Sequence, residues 1–484
     1  MLNNTELKGK MVKATKWAAI TEISAKIISP ITNMILARLL IPEAFGVVAT
    51  VTMIISFAEM FTDAGFQKYL VQHEFKSEEE KYINTNVAFW TNFLISIFLW
   101  GGIAIFSESI ATLVSNPGLG VVIAVACIQL PLSAFSSIQM ALYKRDFDFK
   151  TLFLVRIIAV FTPFAITIPL AFFGFSYWSL IIGTICGQIS NAIVLMRKSK
   201  WKPIWFYDFK VLREMISFSI WSLVEAISIW LTTWVDVFII GSALDAYYLG
   251  IYKTSTAIVT SLMSLITSVT VPILFSTLSR LQNDNEQFNL MFFKTQRLVS
   301  IVLFPLGVGI YLYSELATLI LLGNKWNEAS VVIGQWALTS AIMIVFGYYC
   351  SEVYRAKGRP KLSFLAQALH LVVLIPVCII SSKYGFLILV YTRSWIRMQF
   401  VLVHFLIMKF ALGIPISKMI RNVFPTAVSA VLMGCIGYLL QQLKGGMAWD
   451  FLSIAICVFF YFGFLLFFSN MRKEIFSMLS KFRG

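Results

Sequence analysis

The stretch TLFLVRIIAVFTPFAITIPLAFFGFSYWSLIIGTICGQISNAIVLMRKSK, residues 151–200, decides the fold class. It contains two apolar runs, 151–172 and 175–196, separated only by a Phe-Gly turn and followed by a cluster of cations. A helix that spans a bilayer needs about 20 predominantly apolar residues. Each run meets that length, so the stretch predicts a helical hairpin that crosses a membrane twice.

The composition of the whole chain extends this prediction. Of 484 residues, 58% are hydrophobic and 13% are charged, whereas soluble domains carry about 25% charged residues. This deficit of charge excludes a soluble enzyme and a disordered chain. The apolar runs therefore predict an all-α polytopic membrane protein with about fourteen transmembrane helices. The predicted spans are 14–37, 44–63, 85–107, 119–142, 151–172, 175–196, 214–240, 248–279, 295–321, 329–353, 363–383, 386–408, 421–441 and 447–469.

The distribution of the cations predicts the orientation. The chain has 39 Lys and Arg and a net charge of +15. If the N-terminus is cytoplasmic, the outer loops hold only Arg38, Lys325, Lys383 and Lys444. Cytoplasmic loops of membrane proteins are enriched in Lys and Arg. The pattern therefore predicts a multi-pass protein of the cytoplasmic (inner) membrane with both termini cytoplasmic, and it indicates no nucleic-acid partner.

A basic segment and a weak internal repeat predict the domain organisation. Residues 197–213 interleave cations with aromatic residues, which is typical either of an interfacial segment at the headgroups or of a plain loop. Residues 36–51 resemble residues 239–259, with Gly46 aligned to Gly250, and parallel repeats occur in transporters. The prediction is an N-terminal six-helix lobe at 1–197, a cytoplasmic interfacial linker at 198–213, a C-terminal six-helix lobe at 214–412, and helices 13–14 with a cytoplasmic tail at 413–484.

Four short motifs lie at the ends of predicted spans. They are RLLIPEAFG at 38–46, FTDAGF at 61–66, YKRDFDFK at 143–150 and YRAKGRPK at 354–361. In this order they resemble the Wzx-type polysaccharide flippases (O-antigen, teichuronic-acid and colanic-acid exporters). These form the polysaccharide transporter branch of the multidrug/oligosaccharidyl-lipid/polysaccharide exporter superfamily. The resemblance extends from about residue 10 to about residue 410.

The resemblance implies a fold and a function. The implied fold has two six-helix lobes across a central cavity, flanked by two C-terminal helices. The implied function is export of a polyprenyl-pyrophosphate-linked oligosaccharide repeat unit for lipopolysaccharide or other surface polysaccharide biosynthesis, with membrane lipids and the polysaccharide polymerase machinery as further partners. A cation-coupled multidrug extruder of the same fold is one alternative. A membrane glycan polymerase or ligase is another, although the short outer loops, such as 108–118, argue against it.

Charges inside the predicted spans supply the candidate substrate site. A charge at the bilayer centre costs at least about 2.5–3.5 kcal/mol, so it normally faces a cavity or a partner. Arg393 and Arg397 are four residues apart, and like charges at this spacing on a helix repel each other. An arginine side chain can bind a phosphate through two parallel hydrogen bonds. We therefore predict that a pyrophosphate is bound by the deepest cations, with an internal ion pair such as Arg397–Glu225 as the alternative. The predicted substrate-binding residues are Lys26, Arg393, Arg397, Arg156 and Lys253, of which the last two lie near enough to span ends to reach the interface.

Carboxylates inside the spans supply candidates for ion coupling. The reset of an alternating-access transporter usually depends on a buried acid that binds H+ or Na+. These acids are Glu22, Glu59, Asp63, Glu225 and Asp236. The sequence predicts no catalytic residue, metal site or cofactor other than a coupling ion. Neither a CxxC pair nor a catalytic motif occurs, and His370 and His404 are predicted to be packed in the core.

Overall fold

The structure, a computed structural model, describes residue 28 and residues 30–63, 66–146, 148–469 and 471–472. For residue 63 and residues 216–226 it describes the backbone only. These parts of the chain consist of helices joined by short turns. They form two compact units, 1–253 and 254–484. The lobe and linker bounds predicted from the sequence stay predictions.

The helices are numbered here in chain order. In residues 42–243 they are α1 (Pro42–Asp63), α2 (Phe66–Gln72), α3 (Glu78–Ile105), α4 (Ser107–Leu113), α5 (Gly120–Ala126), α6 (Gln129–Arg145), α7 (Phe149–Phe172), α8 (Ser176–Lys198) and α9 (Phe209–Ala243). In residues 246–467 they are α10 (Ala246–Arg280), α11 (Asn285–Leu312), α12 (Ser314–Leu321), α13 (Ala329–Met343), α14 (Tyr349–Ala356), α15 (Lys361–Ser382), α16 (Phe386–Trp395), α17 (Arg397–Leu412), α18 (Ile416–Leu443) and α19 (Met447–Phe467). A 3-10 turn at Asn324–Trp326 precedes α13, and a π-helical segment at Ile344–Tyr348 joins α13 to α14.

The all-α polytopic class is confirmed. Within the described residues, 12 helices are long and apolar enough to cross a membrane, and they coincide with all predicted spans except the first and the seventh. The first, 14–37, lies mostly outside the described residues. The seventh falls within α9, whose apolar part is Ile227–Ala243. The total of fourteen and the cytoplasmic termini stay predictions.

Some predicted spans are interrupted helices. The span 295–321 is divided at Tyr313 into α11 and α12, and the Tyr313 hydroxyl donates to Ser453 Oγ of α19 at 2.9 Å. The span 386–408 is divided at Ile396, between α16 and α17. Apolar periodicity does not detect these breaks, because the flanking residues stay apolar and helical on both sides.

The linker lies against one helix. The Tyr82 hydroxyl of α3 donates to the carbonyl of Lys202 at 3.0 Å, and Asn86 Oδ1 accepts from the amide of Ile204 at 3.0 Å. Trp90 Nε1 donates to the carbonyl of Ile204 at 2.7 Å. Side chains of α3 thus satisfy backbone groups of a segment that has no regular structure of its own, and this fixes its position.

Two motif arginines cap helix ends. Arg145 donates to the carbonyls of Leu70 at 2.8 Å and His73 at 2.6 Å, at the end of α2. Arg359 donates to the carbonyl of Ala411 at 2.8 Å, at the end of α17. The last carbonyls of a helix lack intrahelical partners and carry partial negative charge. These motif cations therefore stabilise helix termini.

Two glycines of the internal repeat contact each other within residues 1–253. A Cβ at Gly46 would lie 1.7 Å from the carbonyl oxygen of Ala246, and a Cβ at Gly250 would lie 1.8 Å from that of Pro42. The contact is reciprocal, since the segments of α1 and α10 that resemble each other meet at equivalent positions. Any side chain would push the backbones apart, which explains the glycines.

Replacing either glycine tests this crossing. Gly46→Ala or Gly250→Ala is expected to destabilise the protein by about 1–3 kcal/mol, because the added methyl overlaps a carbonyl group. Gly101→Ala in α3 is the control, since a Cβ there meets nothing within 4 Å. The measurement is the melting temperature of the purified protein in detergent. Equal melting temperatures for all three variants would contradict the close approach.

Candidate functional site

Arg393 and Arg397 lie against the same aromatic ring. The guanidinium carbon of Arg393 lies 5.1 Å from the ring centroid of Trp336, and that of Arg397 lies 4.2 Å from it. Both distances are within the range of about 6 Å at which a cation is attracted to the face of an aromatic ring. Arg393 and Trp336 are buried. The predicted arginine pair therefore forms one cationic cluster around Trp336 of α13.

Hydroxyl groups of α13 add to this cluster. Arg397 donates to Ser340 Oγ at 2.8 Å and to Thr339 Oγ1 at 3.4 Å. Both hydroxyl side chains are buried. These hydroxyls and the indole ring orient the guanidinium group of Arg397. The cluster therefore brings two guanidinium groups and two hydroxyl groups together at α13.

The π-helical segment directly follows this part of α13. A Cβ at Gly347 would lie 3.3 Å from the ring of His404 in α17. His404 Nδ1 lies 3.0 Å from the Tyr354 hydroxyl, and its ring lies 4.5 Å from that of Phe400. His404 is 1% exposed, so the prediction of a packed histidine is confirmed. Single π-helical turns occur frequently at functional sites.

A second polar group lies in residues 1–253. Asp236 is buried and accepts a hydrogen bond from the Tyr252 hydroxyl at 2.7 Å. The ammonium nitrogen of the next residue, Lys253, lies 3.9 Å from a ring centroid of Trp234. The last turns of α9 and the first turns of α10 thus bring together the predicted coupling residue Asp236 and the predicted substrate-binding residue Lys253.

Among the remaining candidates, the structure describes the side chains of Glu59 and Arg156. Glu59 on α1 is half-buried and Arg156 on α7 is exposed. Asp63 and Glu225 have helical backbones, but their side chains are not described, and Glu22 and Lys26 lie outside the described residues. Within the described residues, no group of three or more His, Cys, Asp or Glu side chains is arranged to hold a metal ion.

Sequence comparison identifies the family. The family model described as polysaccharide biosynthesis protein matches residues 35–331, which is more than half of the chain. The chain belongs to this family.

Two individual relatives match this chain over about two thirds of its length or more. It is 22% identical to the lipopolysaccharide biosynthesis protein WzxC of Escherichia coli over 458 residues, which cover 91% of this chain and 90% of that one. It is 24% identical to the succinoglycan biosynthesis transport protein ExoT of Rhizobium meliloti over 327 residues, 68% of this chain and 65% of that one. The resemblance to polysaccharide flippases is confirmed.

A solved structure supports the fold. The inward closed conformation of the lipid II flippase MurJ superposes with a TM-score of 0.77 at 16% identity, covering 94% of this chain and 99% of that one. The 12 long apolar helices among the described residues confirm that this polysaccharide biosynthesis protein is a multi-pass membrane protein.

The residues that surround the arginines are not apparent from the sequence pattern. Trp336, Thr339 and Ser340 lie within the apolar span 329–353. Their spacing of three to four residues places them on one face of α13. Polar groups on one face of an otherwise apolar span indicate a face turned toward protein or water. This signal could have identified α13 as the partner of the arginines.

A double-mutant cycle tests the Asp236 group. Tyr252→Phe removes a donor to a buried carboxylate, so we expect a loss of about 1–3 kcal/mol in stability, measured as a lower melting temperature. In an Asp236→Asn background the same change should cost less, because no charge is left to stabilise. Tyr438→Phe, at a side chain that is 57% exposed, is the control. An equal loss in both backgrounds would contradict the assignment.

Proposed function

We propose that the protein is a flippase that moves a polyprenyl-pyrophosphate-linked oligosaccharide repeat unit across the cytoplasmic membrane for surface polysaccharide biosynthesis. Family membership and relatives named for polysaccharide biosynthesis, transport and lipid flipping support this function. Transport is non-covalent, so the protein is not an enzyme. The observation that carries the proposal is the arginine cluster of Arg393, Arg397 and Trp336.

The cluster fits the charged part of such a substrate. Two guanidinium groups at one ring repel each other, and an anion between them relieves the repulsion. A pyrophosphate offers several oxygens, and each guanidinium can donate two parallel hydrogen bonds to a phosphate. A site far from bulk water strengthens these interactions, because the effective dielectric constant there is lower. The cluster therefore binds the group that all polyprenyl-pyrophosphate substrates share, whichever sugars they carry.

Three further cations extend the proposed substrate path. Lys253 lies against the ring of Trp234, and the exposed Arg156 lies on α7. The third of these proposed substrate-binding cations is Lys26, in the first predicted span. Alternating access would use the lobes 1–197 and 214–412, with the polymerase machinery receiving the product.

Neutralising the arginines tests the proposal. Arg397→Gln and Arg393→Gln are each expected to lower transport of the lipid-linked repeat unit tenfold or more, because a hydrogen bond to a charged group contributes about 1.5–3 kcal/mol. Arg397→Lys should also be impaired, since it keeps the charge but not the bidentate geometry. The measurement is the transport rate in proteoliposomes of matched protein content.

Arg421→Gln, at an exposed position near the start of α18, is the matched control and should transport normally. Normal transport by Arg397→Gln at normal protein level would contradict the substrate role. A rate of drug extrusion that exceeds transport of the repeat unit would favour the multidrug extruder.

We also propose that a buried carboxylate couples transport to H+ or Na+. Asp236 is the best-supported candidate because it is buried and accepts a hydrogen bond from the Tyr252 hydroxyl. Glu22, Glu59, Asp63 and Glu225 are the other candidates. Binding of an ion removes the cost of a buried negative charge and so favours one state of the transporter.

Ion coupling is tested by collapsing the gradients. Transport by the wild type should fall at least tenfold when the proton and sodium gradients are both collapsed. Without a gradient, ion binding no longer drives the return of the transporter to its starting conformation. Asp236→Asn should have the same low rate with or without gradients. Glu328→Gln, at an exposed position before α13, should behave as the wild type. Unchanged wild-type transport without gradients would contradict the coupling.

A further inference from the structure

A polar cavity lies at the predicted cytoplasmic ends of four helices within residues 1–253. Its volume is about 600 Å³, within the range of about 300–1,000 Å³ that is typical of small-molecule sites. The walls come from the first turns of α3 and α7, the last turn of α6, and the end of α8 with the loop that follows it. This cavity is separate in sequence from the arginine cluster, which lies in residues 254–484.

Two buried polar groups in the cavity wall lack hydrogen-bond partners among the residues that the structure describes. They are the indole Nε1 of Trp201 and the hydroxyl of Tyr143. Trp201 is 8% exposed. A buried polar group without a partner is costly, and native structures leave few of them. Two such groups in the wall of one cavity indicate that a polar ligand completes it.

The wall around Trp201 is held rigidly. The carbonyl of Trp201 accepts from Ser199 Oγ at 2.9 Å, and the indole ring lies 5.5 Å from that of Phe89. The hydrogen bonds from α3 to residues 202–204 fix the segment on the other side. The cavity is therefore pre-formed, which lowers the entropic cost of binding a ligand.

The charges of the wall select the class of ligand. Lys81, Lys198 and Lys200 are balanced by Glu78, Asp146 and Asp148. Lys81 Nζ lies 3.4 Å from Glu78 Oε2 and 3.8 Å from Asp146 Oδ1. A balanced wall does not favour an anion such as a nucleotide or a phosphate. It offers donors and acceptors side by side, which suits sugar hydroxyls because each hydroxyl both donates and accepts.

We infer that this cavity binds the oligosaccharide of the repeat unit on the cytoplasmic side. The aromatic rings of Tyr82 and Trp201 provide apolar surface for the C–H faces of a sugar, and the charged groups bind its hydroxyls. The inference rests on the proposed function and adds to it. The arginine cluster recognises the shared pyrophosphate, whereas this cavity distinguishes one glycan from another.

Binding of the free glycan tests the inference. The probe is the repeat-unit oligosaccharide of the host, released from its lipid by mild acid and titrated calorimetrically into the full-length protein in nanodiscs. Trp201→Phe keeps the ring and removes the N–H group, so it should weaken binding about fivefold. Asp146→Asn should weaken it by a similar factor. This second variant keeps the test decisive if Trp201→Phe fails to fold, because the Asp146 side chain is 60% exposed.

Trp205→Phe is the matched control. Trp205 belongs to the same segment but stacks on Trp90 at 4.4 Å and does not line the cavity. It should bind the oligosaccharide as the wild type does. An equal loss in Trp205→Phe and Trp201→Phe would overturn the inference, as would normal binding by both Trp201→Phe and Asp146→Asn.

Two further outcomes separate the glycan site from the transport function. If the wild type transports the lipid-linked unit but does not bind the free oligosaccharide, the glycan site is wrong and the flippase stands. If the wild type binds the oligosaccharide in a Trp201-dependent manner but does not transport the lipid-linked unit, the glycan site stands and the flippase is wrong. Trp201-dependent binding of inorganic phosphate in place of the oligosaccharide would overturn the inference.

Discussion

A guanidinium group deep in a bilayer must have protein partners, and this constraint organises the second unit of the protein. Arg393 and Arg397 share the ring of Trp336, and the hydroxyls of α13 orient Arg397. These contacts hold both guanidinium groups at one side of α13. Two cations close together in an apolar span repel each other, and an anion between them lowers that cost. Relief of the repulsion between the two guanidinium groups is thus the basis of the proposed affinity for a lipid pyrophosphate.

The surroundings of the arginines distinguish those that stabilise helix ends from those that are proposed to bind substrate. Arg145 and Arg359 lie in two of the motifs that resemble those of polysaccharide flippases, and each donates to carbonyls at the end of a helix. Their charge is used locally against the negative end of a helix dipole. Arg393 and Arg397 have a different surrounding, an aromatic ring and hydroxyls. Position in a motif alone therefore does not indicate a substrate role.

The sequence predicted most of the fold, because a transmembrane helix is recognised from consecutive residues. The hairpin of α7 and α8 follows directly from two apolar runs and the turn between them. The candidate site was predicted in part. Arg393 and Arg397 were found because a charge in an apolar run is a local signal, but Trp336 and Ser340 were not, because their contact with the arginines spans about sixty residues of sequence. The cavity at Trp201 requires four helix ends to meet, and no local pattern contains that information.

In the proposed function, the protein moves the lipid-linked repeat unit from the inner to the outer leaflet. The most direct measurement is the leaflet distribution of polyprenyl-pyrophosphate-linked oligosaccharide after depletion of the protein from cells. The repeat unit is expected to accumulate in the cytoplasmic leaflet. Accumulation of unpolymerised units in the outer leaflet would indicate a polymerase or ligase instead. An unchanged distribution would contradict the account.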